Sequence, residues 1–140
     1  MKIPTKVRYG ARLMIVLARS HEAGPVLMKD IARQEGLSKK YLEQIIMGLK
    51  RRGLVVGTRG VGGGYRLTRS PAQISMLDVF EALGGSLCLV SCVRDPRVCP
   101  RSDRCATRDL WRGLNARIEG HLKSVRLADL LAVNAGGGRR

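Results

Sequence analysis

Apolar positions recur along this chain at two spacings, and the changes between them mark its elements. Residues 6–20 stack Val7, Leu13, Val16 and Leu17, with Tyr9 and Ala18 filling in, which predicts a helix with one broad buried face. Residues 27–35 predict a short helix with Leu27 and Ile31 one turn apart, and Gly36 then supplies a turn. Ser38 follows as an N-cap for residues 39–52, where Leu42, Ile45, Ile46 and Leu49 form an apolar stripe. Lys39, Lys40, Glu43, Gln44, Lys50 and Arg51 take most of the other face, and Gly53 stops the helix. The β-prone runs LVVGT (54–58) and YRLT (65–68) flank the glycine-rich tip RGVGGG (59–64), the pattern of a hairpin. Ser75 caps a further helix to about Leu83, ended by Gly84 and Gly85. From about Ala106 to Val125, Leu110, Leu114, Ile118, Leu122 and Val125 recur at helical spacing, with Trp111 beside them. A last short segment, RLADLLA, precedes AGGGRR, which reads as a disordered tail. There is no internal repeat.

A short helix, a glycine-containing turn, a longer helix with a polar outer face and then a hairpin make a winged helix-turn-helix. The fold class expected is mainly α with a small β-hairpin wing, plus a long C-terminal helix whose own apolar face suits pairing with a second copy. The expected organisation is a DNA-binding domain over 1–83, a cysteine-rich loop over 84–105, a dimerisation helix and C-terminal segment over 106–131, and a tail over 132–140. Glycine-rich loops also cradle phosphates, but between a strand and a helix. Here the glycines lie between two strands and are followed by Tyr65, Arg66 and Leu67, which argues against a nucleotide site.

Charge strengthens the nucleic-acid reading. The chain carries +15, and residues 1–70 hold 15 Lys and Arg against 4 Asp and Glu, a surplus of 11. That is the electrostatic footprint of a nucleic-acid binder, although an arginine-rich genome would also produce a basic protein. No apolar run approaches the roughly 18 residues a membrane span needs. The N-terminus is basic and then apolar, but Arg12 interrupts it and no small-residue cleavage site follows, so it reads as a helix of the mature protein. The expected location is the cytoplasm, which is reducing.

All four cysteines fall in residues 88–105, CLVSCVRDPRVCPRSDRC, among Pro96, Pro100 and Arg94, Arg97, Arg101 and Arg104. In a reducing compartment such a cluster suggests metal or redox chemistry rather than structural disulfides. The gaps are long and irregular, unlike the tight knuckles of a zinc ribbon. They suit an inorganic cluster wrapped by one excursion of chain and held by thiolates. The arginines would offset an anionic cluster, or act only as exposed solubilising residues. His21 and His121 read as surface residues.

The segments KVRYGARLM, AGPVLMKDIARQEGLSKKYLEQI, GLV and RGVGGGYRL, followed by C-x6-C-x5-C leading to the helix of Trp111, resemble the IscR-like bacterial iron–sulfur cluster regulators. That family includes nitric-oxide-sensing and cysteine-metabolism repressors, and the resemblance runs from about residue 1 to 131. It implies a homodimer crossed through the long C-terminal helix, bound to a palindromic or pseudo-palindromic promoter site on double-stranded DNA. It puts Tyr41, Glu43 and Gln44 on a recognition helix and has Arg59 and Gly60 reach toward the minor groove. Gln44 can pair with adenine and Glu43 can accept from cytosine N4. Lys39, Lys40, Arg51 and Arg52 read as phosphate contacts, with a solvated helix end as the other reading of the last two. Ser38 and Gly62 complete the expected DNA-binding set. Lys40 stands where a small hydroxyl residue is usual in the family, so base preference should differ.

The resemblance also points to Cys92, Cys99 and Cys105 as ligands of an iron–sulfur cluster, 2Fe–2S or 4Fe–4S. Relatives complete the shell with a histidine at the position of Arg108, or with a partner subunit's carboxylate at the position of Arg8. Neither arginine will ligate iron. Cys88 is the local candidate, or else a small buried apolar residue. Asp103, Asp109 and an external small ligand are further candidates. The function expected is a homodimeric transcription regulator, with repressor among its roles, tuned by a cluster. The alternative is a zinc- or thiol-redox-responsive repressor of the same fold. A protein-only adaptor is disfavoured by the basic N-terminal half. No Ser-His-Asp grouping or phosphate loop supports an enzyme.

Overall fold

The computed structural model describes residues 2–135. Among them α1 (Thr5–Arg19), α2 (Met28–Glu35) and α3 (Lys39–Arg51) are followed by an antiparallel hairpin of β1 (Val55–Thr58) and β2 (Gly64–Leu67). Then come α4 (Met76–Gly84), a one-turn α5 (Ser91–Arg94), α6 (Arg108–Ser124) and α7 (Leu127–Ala135). The expected mainly helical, winged architecture is present. No described helix is long and apolar enough to cross a membrane.

The stripes read from the sequence become the core. Leu13, Met14 and Leu17 of α1, Ile31 of α2, and Leu42, Ile45 and Leu49 of α3 are all fully buried in one cluster. Each contributes roughly 1.5–3 kcal/mol relative to an exposed position. Gly36 ends α2 in the left-handed region, with φ of 65°. Ser38 caps α3, its Oγ accepting from the Tyr41 N–H at 3.2 Å.

The hairpin pairs Val55 with Leu67 and Thr58 with Gly64. Its base is tied to the end of α3, because Leu54 N–H donates to Leu49 O (3.0 Å) and Thr68 Oγ1 to Gly53 O (2.6 Å). The α1–α2 connection adds one further rung: Val26 and Tyr65 exchange N–H···O bonds, both 2.8 Å. Gly64 makes this approach feasible. It sits at φ of +144°, and a Cβ there would lie 2.4 Å from Val26 O.

α4 crosses α1 and α3. Its start is fixed by a capping box, with Ser75 N–H on Asp78 Oδ2 (2.8 Å) and Asp78 N–H on Ser75 Oγ (3.1 Å). Near its end, Leu83 fits over Gly10 of α1 and Gly48 of α3. A Cβ at those glycines would meet Leu83 Cδ1 at 2.0 Å and Leu83 Cδ2 at 2.8 Å.

The C-terminal segment departs from the sequence reading. α7 does not end near residue 131 but continues to Ala135, so the first residues of the expected tail (132–140) are helical; residues 136–140 lie outside those described. The core also takes in part of this segment. Met76 N–H donates to Val125 O (2.8 Å) and Leu127 N–H to Ile74 O (3.0 Å), which seats Leu127, fully buried, among the residues of α1 and α3.

Gly64→Ala is expected to destabilise the fold by about 1–3 kcal/mol, because it adds a Cβ to a strained φ and pushes the hairpin off Val26. Urea unfolding measures the loss. Gly113→Ala, on open α6 backbone, is the contrasting substitution and should not destabilise.

Candidate nucleic-acid interface and cysteine loop

Burying Leu42, Ile45, Ile46 and Leu49 leaves one direction for the rest of α3. Lys39, Lys40, Glu43, Gln44, Met47, Lys50 and Arg51 are exposed together. Among the described residues, Lys39, Lys40, Arg51 and Arg59 make no ion pair with a carboxylate. Their charge is therefore free for an external anion. Arg52 differs. Its guanidinium donates to Glu81 Oε2 of α4 at 2.8 Å, so it ties α3 to α4 rather than facing outward alone.

Tyr41 is half-buried, and its ring stands edge-on to Tyr9 of α1, with centroids 6.0 Å apart and planes at 88°. Arg12 lies 5.4 Å from the centre of Tyr9, and its Nε is 2.6 Å from Glu35 Oε2. This chain of contacts links α1, α2 and α3. Much of Tyr41 is thus spent on setting the angle of α3, a role the sequence pattern did not disclose.

On the wing, Arg59, Gly60 and Gly62 are exposed at the tip. Gly60 and Gly62 have φ of 93° and 77°, which curl the tip without side chains. Val61 between them is fully exposed. Arg66 and Arg69 add exposed cations on the return strand and after it.

The cysteine loop is a series of tight turns rather than an open coil. α5 is followed by 3-10 turns over Pro96–Val98 and Ser102–Arg104. Buried Ser102 donates to Pro96 O at 2.7 Å and holds the two turns together. Asp95 caps the first through the Arg97 N–H and also accepts from its guanidinium, which holds the Asp95 carboxyl below the usual range. Asn115 of α6, only 7% exposed, fastens the start of the loop. Its Oδ1 accepts from Leu89 N–H (3.0 Å), and its Nδ2 donates to Leu87 O (3.4 Å) and Glu119 Oε1 (3.2 Å).

All four cysteines are free and half-buried. Cys88 Sγ donates to Val90 O (3.1 Å) and lines an open apolar cavity of about 590 Å³ with Phe80, Leu87, Trp111, Leu114 and Ile118. Cys105 Sγ lies 3.3 Å from Thr107 Oγ1. Hydrogen bonding from Thr107, first through its hydroxyl and then its backbone, lowers the Cys105 pKa. Arg108 Nε donates to Cys92 O at 3.2 Å, so this residue braces the loop. Asp109 pairs with Arg112, and Asp103 is exposed.

The donor set is right in kind for a thiolate-held cluster. It is not yet gathered: among the described residues, no three Cys, His, Asp or Glu side chains converge as a metal-holding group.

The family model described as Rrf2, an iron-dependent transcriptional regulator, matches residues 3–133. A putative HTH-type transcriptional regulator of Azotobacter vinelandii is 40% identical over 132 residues, covering 94% of this chain and 80% of that protein. Among solved structures, CymR, the global cysteine regulator of B. subtilis, superposes with a TM-score of 0.81 at 37% identity, covering 95% of this chain and 98% of that one. T. potens IscR superposes at 0.79 and 36% identity, covering 100% of this chain and 94% of that one.

A lowered thiol pKa means more thiolate at a given pH, and the thiolate is the nucleophile. In the metal-free protein, Cys105 is expected to be alkylated by iodoacetamide with a rate midpoint below the ordinary value of 9.0. Thr107→Val should move that midpoint upward. Peptide mapping across a pH series reads both.

Proposed function

We propose a function from a single premise: this chain belongs to the Rrf2 family of transcriptional regulators. We infer that it is a homodimeric DNA-binding regulator whose grip on its promoters is set by the cysteine loop, with an iron–sulfur cluster as the regulating group. The observation that carries the DNA reading is the outward face of α3. Cations without carboxylate partners surround Glu43 and Gln44 there, and a glycine-tipped basic wing begins at the end of the same helix.

A recognition helix lies in the major groove. Gln44 would donate to and accept from adenine, and Glu43 would accept from cytosine N4. A carboxylate facing phosphates is costly unless a base donor answers it, so Glu43 discriminates against sites that lack one. Ser38, Lys39, Lys40 and Arg51 would position the helix through phosphates, beside Tyr41. At the wing, Arg59 would enter the minor groove, where Gly60 and Gly62 let backbone come close.

Dimerisation is supported by α6. Leu110, Trp111 and Leu114 are 59%, 37% and 42% exposed, an apolar stripe that water covers poorly and a second copy would cover well. Two-fold symmetry then pairs two reading helices with a pseudo-palindromic site.

Cys92, Cys99 and Cys105 would hold the cluster, and Cys88 is the local candidate for a fourth thiolate. When bound, the cluster supplies a redox-sensitive crosslink of three segments of the loop. Arg94, Arg97, Arg101 and Arg104 lie around these thiols in sequence and would offset their negative charge. Asn115 and Arg108 anchor the loop to α6, so a change in the loop bears on the helix that carries the exposed stripe. A zinc- or thiol-redox-responsive regulator without iron is the second reading. It draws on the same thiols, and the lowered pKa of Cys105 supports its redox-responsive form.

Protein purified without oxygen is expected to be brown and to contain iron and acid-labile sulfide, and Cys92→Ala should bleach it. A colourless anaerobic preparation carrying zinc would overturn the cluster and leave the DNA reading intact. DNA affinity should fall steeply with salt through counterion release. Arg51→Ala should reduce the slope of log affinity against log salt by about 1. Arg52→Ala, which removes the partner of Glu81, should leave the slope unchanged. Binding isotherms at several salt concentrations separate the two.

A further inference from the structure

Met47 is an apolar residue in the middle of a polar face. Its neighbours Ile46, Gly48 and Leu49 are buried, yet Met47 is 57% exposed. Lone exposed apolar residues are common on proteins. The position of this one is what distinguishes it. Lys40, Glu43, Gln44 and Met47 stand at i, i+3, i+4 and i+7, so they share one face of α3, and Arg51 continues the row one turn on. That is the spacing at which a recognition helix addresses successive base edges. The backbone behind Met47 is held firmly. A Cβ at Gly48 would lie 2.8 Å from Leu83 Cδ2 and 3.2 Å from Ala82 O, so α3 is pressed against α4 at this level while the neighbouring Met47 points to solvent.

We propose that Met47 is a specificity-determining residue that contacts the 5-methyl group of a thymine in the major groove. The proposal rests on the DNA-binding reading of α3 and extends it. The major groove offers donors, acceptors and one apolar feature, the thymine methyl. Glu43 and Gln44 address donors and acceptors, and a thioether can do neither well. Its unbranched, polarisable side chain adapts to a methyl group. Met47 lies ~4.5 Å along the helix axis beyond Gln44, close to the ~3.4 Å rise of one base pair. Being on the same face one turn along from Glu43, it would reach a base near the one that Gln44 addresses.

The test uses the full chain and the site it selects from a randomised duplex library. Each thymine of that site is replaced in turn by deoxyuridine, which removes the methyl group alone. At one thymine per half-site the wild-type protein should bind about fourfold more weakly, the worth of one buried methyl. Met47→Ala should bind the thymine and uracil forms equally there, and Met47→Leu should keep the discrimination. Met47→Ala should also keep the wild-type salt slope, because no phosphate contact is lost. Wild type and Met47→Ala responding alike to uracil at every position would overturn the role of Met47 alone. Failure of the library to enrich any sequence would overturn the DNA reading, and this proposal with it.

Discussion

Half-buried Leu83 of α4 packs against both α1 and α3. Its two methyl groups occupy notches left by Gly10 on α1 and Gly48 on α3, positions where any Cβ would collide with it. Interiors are packed near crystal density, so such a junction is a constraint on shape as much as a source of contact energy. The inner face of α3 is pinned there, and so is the direction of its outer face. Arg52 and Glu81 brace the same pair of helices one turn away, and the Tyr9–Tyr41 contact braces α3 from the other side.

The same junction stands next to the cysteine loop. Gly84 and Gly85 follow Leu83 directly, and the loop's first residues are then fastened to α6 by Asn115. The covalent route from the thiols back to α3 passes through the end of α4. In the proposed regulator, residues 88–105 are flanked by helices α4 and α6, and the loop's start is hydrogen-bonded to α6. The turns held by Ser102 and Asp95 give the loop a defined shape even though its cysteines are not gathered.

Much of this was readable in advance. Ser38, Gly36 and the 42–45–46–49 stripe marked the helix-turn-helix because caps, left-handed turns and helical periodicity are local properties. The wing was readable because a glycine-rich tip between β-prone runs admits few other conformations. The stripe of α6 was readable in its period, although helical spacing does not tell a core face from an uncovered one. The cysteine spacing disclosed a donor set and not its geometry. Tyr41, Arg52 and Arg108 have contacts that the sequence did not disclose for one reason: each meets a residue distant in sequence, Tyr9, Glu81 or Cys92.

The sequence by itself determined the order of the elements, the polar face of α3, the basic charge of residues 1–70 and the confinement of four thiols to one loop, since each follows from near-neighbour spacing or composition. Tertiary structure alone decided that Val26 joins the hairpin, that Leu127 returns to the core through pairing at Ile74 and Met76, and that Leu83 locks α1 to α3. Those outcomes depend on pairs of segments separated by many residues, whose meeting is set by the packing of the whole chain and leaves no periodic mark along it.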